Sequence, residues 1–178
     1  MSYNIVISGP ESTGKSTIAE YLAHHYNAAF IPEYARLYIE SLGRPYDFND
    51  IEHIARKQAS DLVSCELLPN HLLFIDTYLI ITKVWFDVVY GKVPIWIDEN
   101  LRNAPIRLYL LCNTDIEWVA DSVRENGGIM RNTLFDRYLT EIEYYNFPYK
   151  IISGTGQQRL NCAISAVDDF LKRYHNDK

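Results

Sequence analysis

Residues 3–26 read YNIVISGPESTGKSTIAEYLAHHY. Their middle fits G-x-x-x-x-G-K-[ST], with Gly9, Gly14, Lys15 and Ser16 at the fixed positions. The apolar run NIVIS predicts a buried strand over residues 4–8, and TIAEYLAHHY after the loop predicts a helix. Strand, glycine loop and helix in that order make the string a P-loop rather than an ordinary tight turn. The glycines permit a backbone path that turns several N–H groups inward at a helix N-terminus, an anion nest for phosphate oxygens. Lys15 adds a mobile positive charge for the β- and γ-phosphates, and the Ser16 hydroxyl is placed to ligate Mg²⁺. Gly9, Glu11, Ser12, Thr13, Gly14, Lys15, Ser16 and Thr17 are the expected nucleotide-binding residues, with ATP and Mg²⁺ as the cofactors. Glu11 is the odd member. Inside the nest its charge would repel the γ-phosphate, so its side chain is expected to point toward solvent, substrate or a neighbouring helix.

Composition narrows the partners. A chain of 178 residues, 48% hydrophobic and 22% charged, is long enough for one domain with a full core. Its net charge is -6 and it has no run of lysine or arginine, which argues against nucleic acid as the main partner. The chain enters a strand within four residues without a leader pattern, and Asp76 and Lys83 interrupt the longest apolar stretch, so no membrane span is expected. Cys65, Cys112 and Cys162, odd in number and without C-x-x-C, read as reduced core thiols and point to a cytoplasmic protein. His24 and His25 diverge on a helix and lack metal-site spacing.

Four more apolar segments read as strands: residues 28–31, 72–76, 106–112 and 149–152. Several are apolar on both faces, as a parallel sheet covered by helices requires. Helical patterns separate them, the clearest over residues 50–68 after a cap at Asp47 or Asn49. Such alternation predicts a three-layer α/β domain over residues 1–178. By analogy with P-loop nucleoside and nucleotide kinases, the five parallel strands are expected in the order 2-3-1-4-5. The stretch DIEWVADSVRENGGIMRNTLFDRY reads as helix, glycine break and helix, a helical lid over about residues 115–140.

Ligands of parallel α/β sheets sit at the carboxyl ends of the strands. The third strand ends at Asp76, an apolar strand closed by aspartate, as in a Walker-B carboxylate on Mg²⁺; the alternative is a cap for the next helix. The second strand leads into PEYAR, which places Glu33 at the cleft, either to orient and deprotonate an attacking hydroxyl or to cap the helix beginning at Tyr34. Asp98 is a further carboxylate for that role. Arg124 and Arg131 flank the glycine break and are expected to meet the transferred phosphoryl group, with Arg137 a weaker candidate. The alternative pairs these arginines with Asp121, Glu125 and Asp136 on the surface. Residues 153–159, SGTGQQR, offer a small-residue loop for adenine or a plain turn. The guanine-reading N-K-x-D pattern is absent, since CNTDI lacks the lysine. Tyr34, Tyr78, Trp85 and Phe86 fall near strand ends, either to stack on a flat ring or to fill the core.

GPESTGKST, PEYAR, FIDT followed by IIT, and NTDIEWVADSVR, in this order, resemble the ribosylnicotinamide kinase domain of the NadR family. The resemblance runs over about residues 4–170, and Glu11 matches a glutamate that the family also carries in its loop. It implies phosphorylation of the 5′-hydroxyl of nicotinamide riboside by ATP to give nicotinamide mononucleotide, with a nucleoside-like small molecule as partner. Pro32 and Tyr78 depart from the pattern, which has tryptophan and aspartate there. A kinase of another nucleoside-like alcohol and a nucleotide-dependent switch ATPase are the alternatives.

Overall fold

The computed structural model describes residues 3–66, 72–120 and 126–176. Strand β1 (Tyr3–Ser8) lies in the middle of a five-stranded, wholly parallel sheet. On one side it pairs with β3 (Leu72–Asp76), which carries the edge strand β2 (Ala29–Ile31). On the other side stand β4 (Ile106–Cys112) and the edge strand β5 (Tyr149–Ile152). The order β2-β3-β1-β4-β5 is the expected one.

Side-chain alternation along the strands makes the layers. Ile5, Ile7, Phe74, Leu108 and Leu110 bury against α1 (Lys15–His25) and α7 (Gly156–Asn176). Val6, Leu73, Ile75, Tyr109 and Leu111 face the opposite side. There they meet α3 (Phe48–Glu66), α4 (Leu79–Tyr90), α5 (Ile95–Asn103) and α6 (Gly128–Tyr144). A shorter helix, α2 (Tyr34–Ser41), follows β2. Each fully buried aliphatic or Phe side chain is worth about 1.5–3 kcal/mol, which sets the scale against which a charge at a strand end must be tolerated. At the start of α3, the Asp47 carboxylate accepts the N–H groups of Asn49 and Asp50 at 2.8 and 3.2 Å, so Asp47 rather than Asn49 is the cap.

Two expectations need correction. The first half of the expected helical lid is not helical: residues 115–120 carry no helix, and residues 121–125 lie outside the described part. Of the three cysteines expected in the core, only Cys112 is buried; Cys65 and Cys162 are half-buried, and all three are free thiols. Among the described residues, no helix is long and apolar enough to cross a membrane.

Candidate active site

The P-loop joins β1 to α1 and leans on the end of β4. Gly9 has φ +140°, and a Cβ there would stand 2.7 Å from the Cys112 carbonyl oxygen and 3.0 Å from its Cβ. Gly14, φ +76°, caps α1 in the left-handed conformation. The loop is also stitched from within: the buried Thr13 hydroxyl donates to the Pro10 carbonyl at 2.8 Å, and the Lys15 ammonium donates to the same oxygen at 2.9 Å. Ser16 and Thr17 are exposed on the first turn of α1. Gly9→Ala is expected to destabilise the fold by about 1–3 kcal/mol from backbone strain alone, with the overlap on Cys112 adding to it. Thermal denaturation measures this, and an unchanged melting temperature would mean that the loop does not rest on β4.

Glu11 points out of the loop. Its carboxylate takes hydrogen bonds from the backbone N–H and side-chain amide of Asn126, at 2.9 and 3.0 Å. Arg131, on the first turn of α6, is buried with its guanidinium on the carbonyls of Glu11, Ser12 and Ile116. The Val119 N–H donates to the Ser12 hydroxyl at 3.0 Å. These contacts occupy the backbone that a helix over 115–120 would have used for its own ladder, which accounts for its absence. Arg131 thus sits behind the P-loop, and Arg124 lies outside the described residues. Arg137 pairs with Asp87 of α4 at 2.7 Å rather than with Asp136.

Asp76 and Glu33 stand at neighbouring strand ends. Asp76 is 2% exposed, and neither of its carboxylate oxygens receives a hydrogen bond of full geometry. It does not cap α4, whose N-cap is Tyr78. Burial, then the nearby Glu33 charge, pushes its carboxyl up to about 6, although the Ser16 hydroxyl and Lys15 ammonium pull the other way. A buried carboxylate with orphaned oxygens, facing a hydroxyl beside a phosphate loop, is a donor set that fits hydrated Mg²⁺. Among the described residues there is no group of three or more His, Cys, Asp or Glu able to hold a metal. Glu33 is the N-cap residue of α2 but makes no side-chain capping bond. It pairs with Arg36 at 3.9 Å.

Glu33 and the P-loop share one cavity of about 600 Å³, whose lining does not include Asp76 or Ser16. Gly9, Glu11, Lys15 and Glu33 line it at the P-loop, and Tyr46, Trp85, Val88 and Val89 line it elsewhere. Trp85 and Tyr46 pack edge to face with ring centroids 5.0 Å apart. Trp85 is thus the one expected ring residue that lines the cavity; Tyr78 and Phe86 are core, and Tyr34 packs instead on Tyr38 and His53. Tyr46, Arg44, Gln58 and Tyr138 also line it and escaped sequence reasoning, since no motif marks them. The wall that carries Arg44 and Tyr46 is braced by Asp50, which binds Arg44 through both oxygens at 2.7 and 2.9 Å and accepts the Tyr38 hydroxyl at 3.0 Å. Arg44 is the main reason that the Asp50 carboxyl is drawn down to about 2, so the brace persists through neutral pH. Beyond β5, Arg159 ties Asp115 to the 153–159 loop: its guanidinium donates to the Asp115 carboxylate at 2.5 Å, and Asp115 accepts the Gly154 N–H at 2.7 Å.

Residues 4–159 match the family described as AAA domain. The chain belongs to that family. This AAA domain is 28% identical over 142 residues, 78% of its length, to the trifunctional NAD biosynthesis/regulator protein NadR of Salmonella typhimurium. It spans about a third, 35%, of that protein. Its fold is similar to a crystal structure of NadR protein in complex with NR, with a TM-score of 0.77 and 23% identity over 95% of this chain and 51% of that one. It is similar also to NadR protein in complex with NAD and AMP-PNP, with a TM-score of 0.72 and 23% identity over 95% of this chain and 49% of that one.

Proposed function

We propose that this chain is an ATP- and Mg²⁺-dependent kinase that phosphorylates the 5′-hydroxyl of nicotinamide riboside in NAD biosynthesis. One observation carries the reading: a single cavity joins the P-loop lysine to Glu33 and to the Tyr46–Trp85 ring pair. About 600 Å³ suits a nucleoside-sized ligand with its ring among aromatics and its hydroxyl end at the phosphate loop. The similarity to NadR, solved with NR and with AMP-PNP, supports the same substrates.

Catalysis follows from positioning and charge. The P-loop N–H groups and Lys15 hold the β- and γ-phosphates. Asp76 and Ser16 would hold Mg²⁺, which would supply neutralisation of the phosphate charge. Glu33 orients the 5′-hydroxyl and takes its proton as the oxygen bonds to the γ-phosphorus. The bond from that phosphorus to the ADP oxygen breaks, and ADP leaves with the electron pair. A cytoplasmic location accords with three free thiols.

The test is a screen of the purified protein with ATP–Mg²⁺ against a nucleoside panel that includes nicotinamide riboside. Nicotinamide mononucleotide with matching ADP release is the expected result. Turnover of another nucleoside in its place would keep the kinase and change the acceptor. ATP hydrolysis that no acceptor stimulates would replace the kinase with a switch ATPase.

A further inference from the structure

Glu11 and Arg131 make reciprocal contacts. A P-loop side chain, Glu11, holds Asn126 by its backbone and its amide, just before α6. A side chain of α6, Arg131, holds the P-loop backbone in return, Nε on the Glu11 carbonyl at 3.1 Å and Nη2 on the Ser12 carbonyl at 2.7 Å. Its third nitrogen, Nη1, donates to the Ile116 carbonyl at 2.7 Å, so one guanidinium at 6% exposure joins three backbone segments. Gly127 admits the arrangement, because a Cβ there would stand 3.2 Å from the Trp118 ring.

A planar trans peptide points its N–H opposite to its C=O. With the Glu11 and Ser12 carbonyls drawn onto Arg131, the N–H groups of Ser12 and Thr13 are turned away from it. Ser12 has φ +56°, a conformation that an L side chain rarely adopts unless its surroundings hold it there. A phosphate nest works only while its N–H groups converge.

We infer that the Glu11–Asn126 and Arg131 contacts form a latch that aims the N–H donors of the P-loop, making Arg131 a positioning residue for the triphosphate. It acts through the loop backbone rather than on the transferred phosphoryl group. The inference rests on the kinase reading only in taking ATP as the anion bound.

Its test is the affinity for ATP–Mg²⁺, measured by calorimetry without any acceptor, together with melting temperature and steady-state kinetics. Arg131→Lys and Glu11→Ala are each expected to weaken ATP binding roughly ten-fold or more, the usual scale for a lost charge-assisted hydrogen bond. The KM for ATP should rise more than kcat falls. Lysine should not rescue, since an ammonium lacks the planar fork that spans these carbonyls. The double variant should weaken binding by less than the product of the single effects, as partners in one device do. Glu11→Ala changes only a loop side chain and keeps the test available should the arginine variants fold poorly. Wild-type ATP affinity with a lowered kcat in Arg131→Lys would overturn the latch and return Arg131 to the phosphoryl group. Lowered melting temperatures with unchanged ATP affinity would overturn it as well, leaving a structural contact. A wild-type protein that binds no ATP would instead overturn the kinase reading, and the latch with it.

Discussion

Glu33→Gln is expected to cut phosphoryl transfer by roughly 10²–10⁴-fold, the usual worth of a positioned acid–base group, while ATP affinity and melting temperature stay close to wild type. Glutamine keeps the size of the side chain and one acceptor oxygen but cannot take the proton of the attacking hydroxyl. The structure sharpens the comparison with a capping role. Because the Glu33 side chain makes no capping hydrogen bond to α2, its replacement removes no cap. The pair with Arg36, at 3.9 Å and partly exposed, is worth about 0–1 kcal/mol. Acceptor turnover and thermal denaturation on the one variant decide the matter. Unchanged turnover would take Glu33 out of the mechanism. Asp98 would not replace it, since its carboxylate is engaged by Tyr145 at 2.6 Å and Arg102 at 2.9 Å, and it does not line the cavity.

Asp76→Asn should make the protein both slower and more stable. Removing the carboxylate that fits Mg²⁺ is expected to lower turnover by roughly 10²-fold or more and to raise the magnesium needed for half-maximal rate. Stability should move the other way. Burial raises the Asp76 carboxyl to about 6, so between about pH 4 and 6 the folded state binds a proton that the unfolded state has released. Stability of the metal-free protein therefore falls as pH rises through that window and stays lower above it. The loss approaches about 3 kcal/mol at most, and relaxation around the charged carboxylate reduces it. A gain of about 4–8 °C in melting temperature at pH 7 is therefore expected for the Asn variant. Protons compete with the metal for this carboxylate, so the magnesium needed for half-maximal rate should rise as pH falls through about 6. A variant that melts below wild type at pH 7 with normal turnover would make Asp76 a structural residue.

The inner strands β1, β3 and β4 were readable because they bury both faces, and such runs stand out between polar helix surfaces; expected and observed limits differ by a residue at β1 and β2. The P-loop was readable for a similar reason, since its glycines answer to local geometry: Gly9 must clear Cys112. The segment 115–120 misled because DIEWVA holds no glycine or proline to break a helix, yet Ser12 and Arg131 claim its backbone groups. No local pattern announces a contact made more than a hundred residues away. The cavity beyond Glu33 was hidden for the same reason. Tyr46 comes from a loop that Asp50 and Arg44 brace, and Asn126 meets Glu11 only because α6 packs beside the P-loop.

The central position of β1 bears on how the chain comes to fold. No two neighbouring strands in this sheet are joined by a tight turn. Tyr3 pairs with Leu72 and Asn4 with Ile106, so β1 has no partner until much later stretches of chain arrive. Closing such long loops is entropically costly before any pairing rewards it, which places this topology among the slower folders of its size. During synthesis, the resting place of Gly9 on Cys112 does not exist until that cysteine has left the ribosome. The P-loop therefore lacks its support at Gly9 until β4 docks behind it.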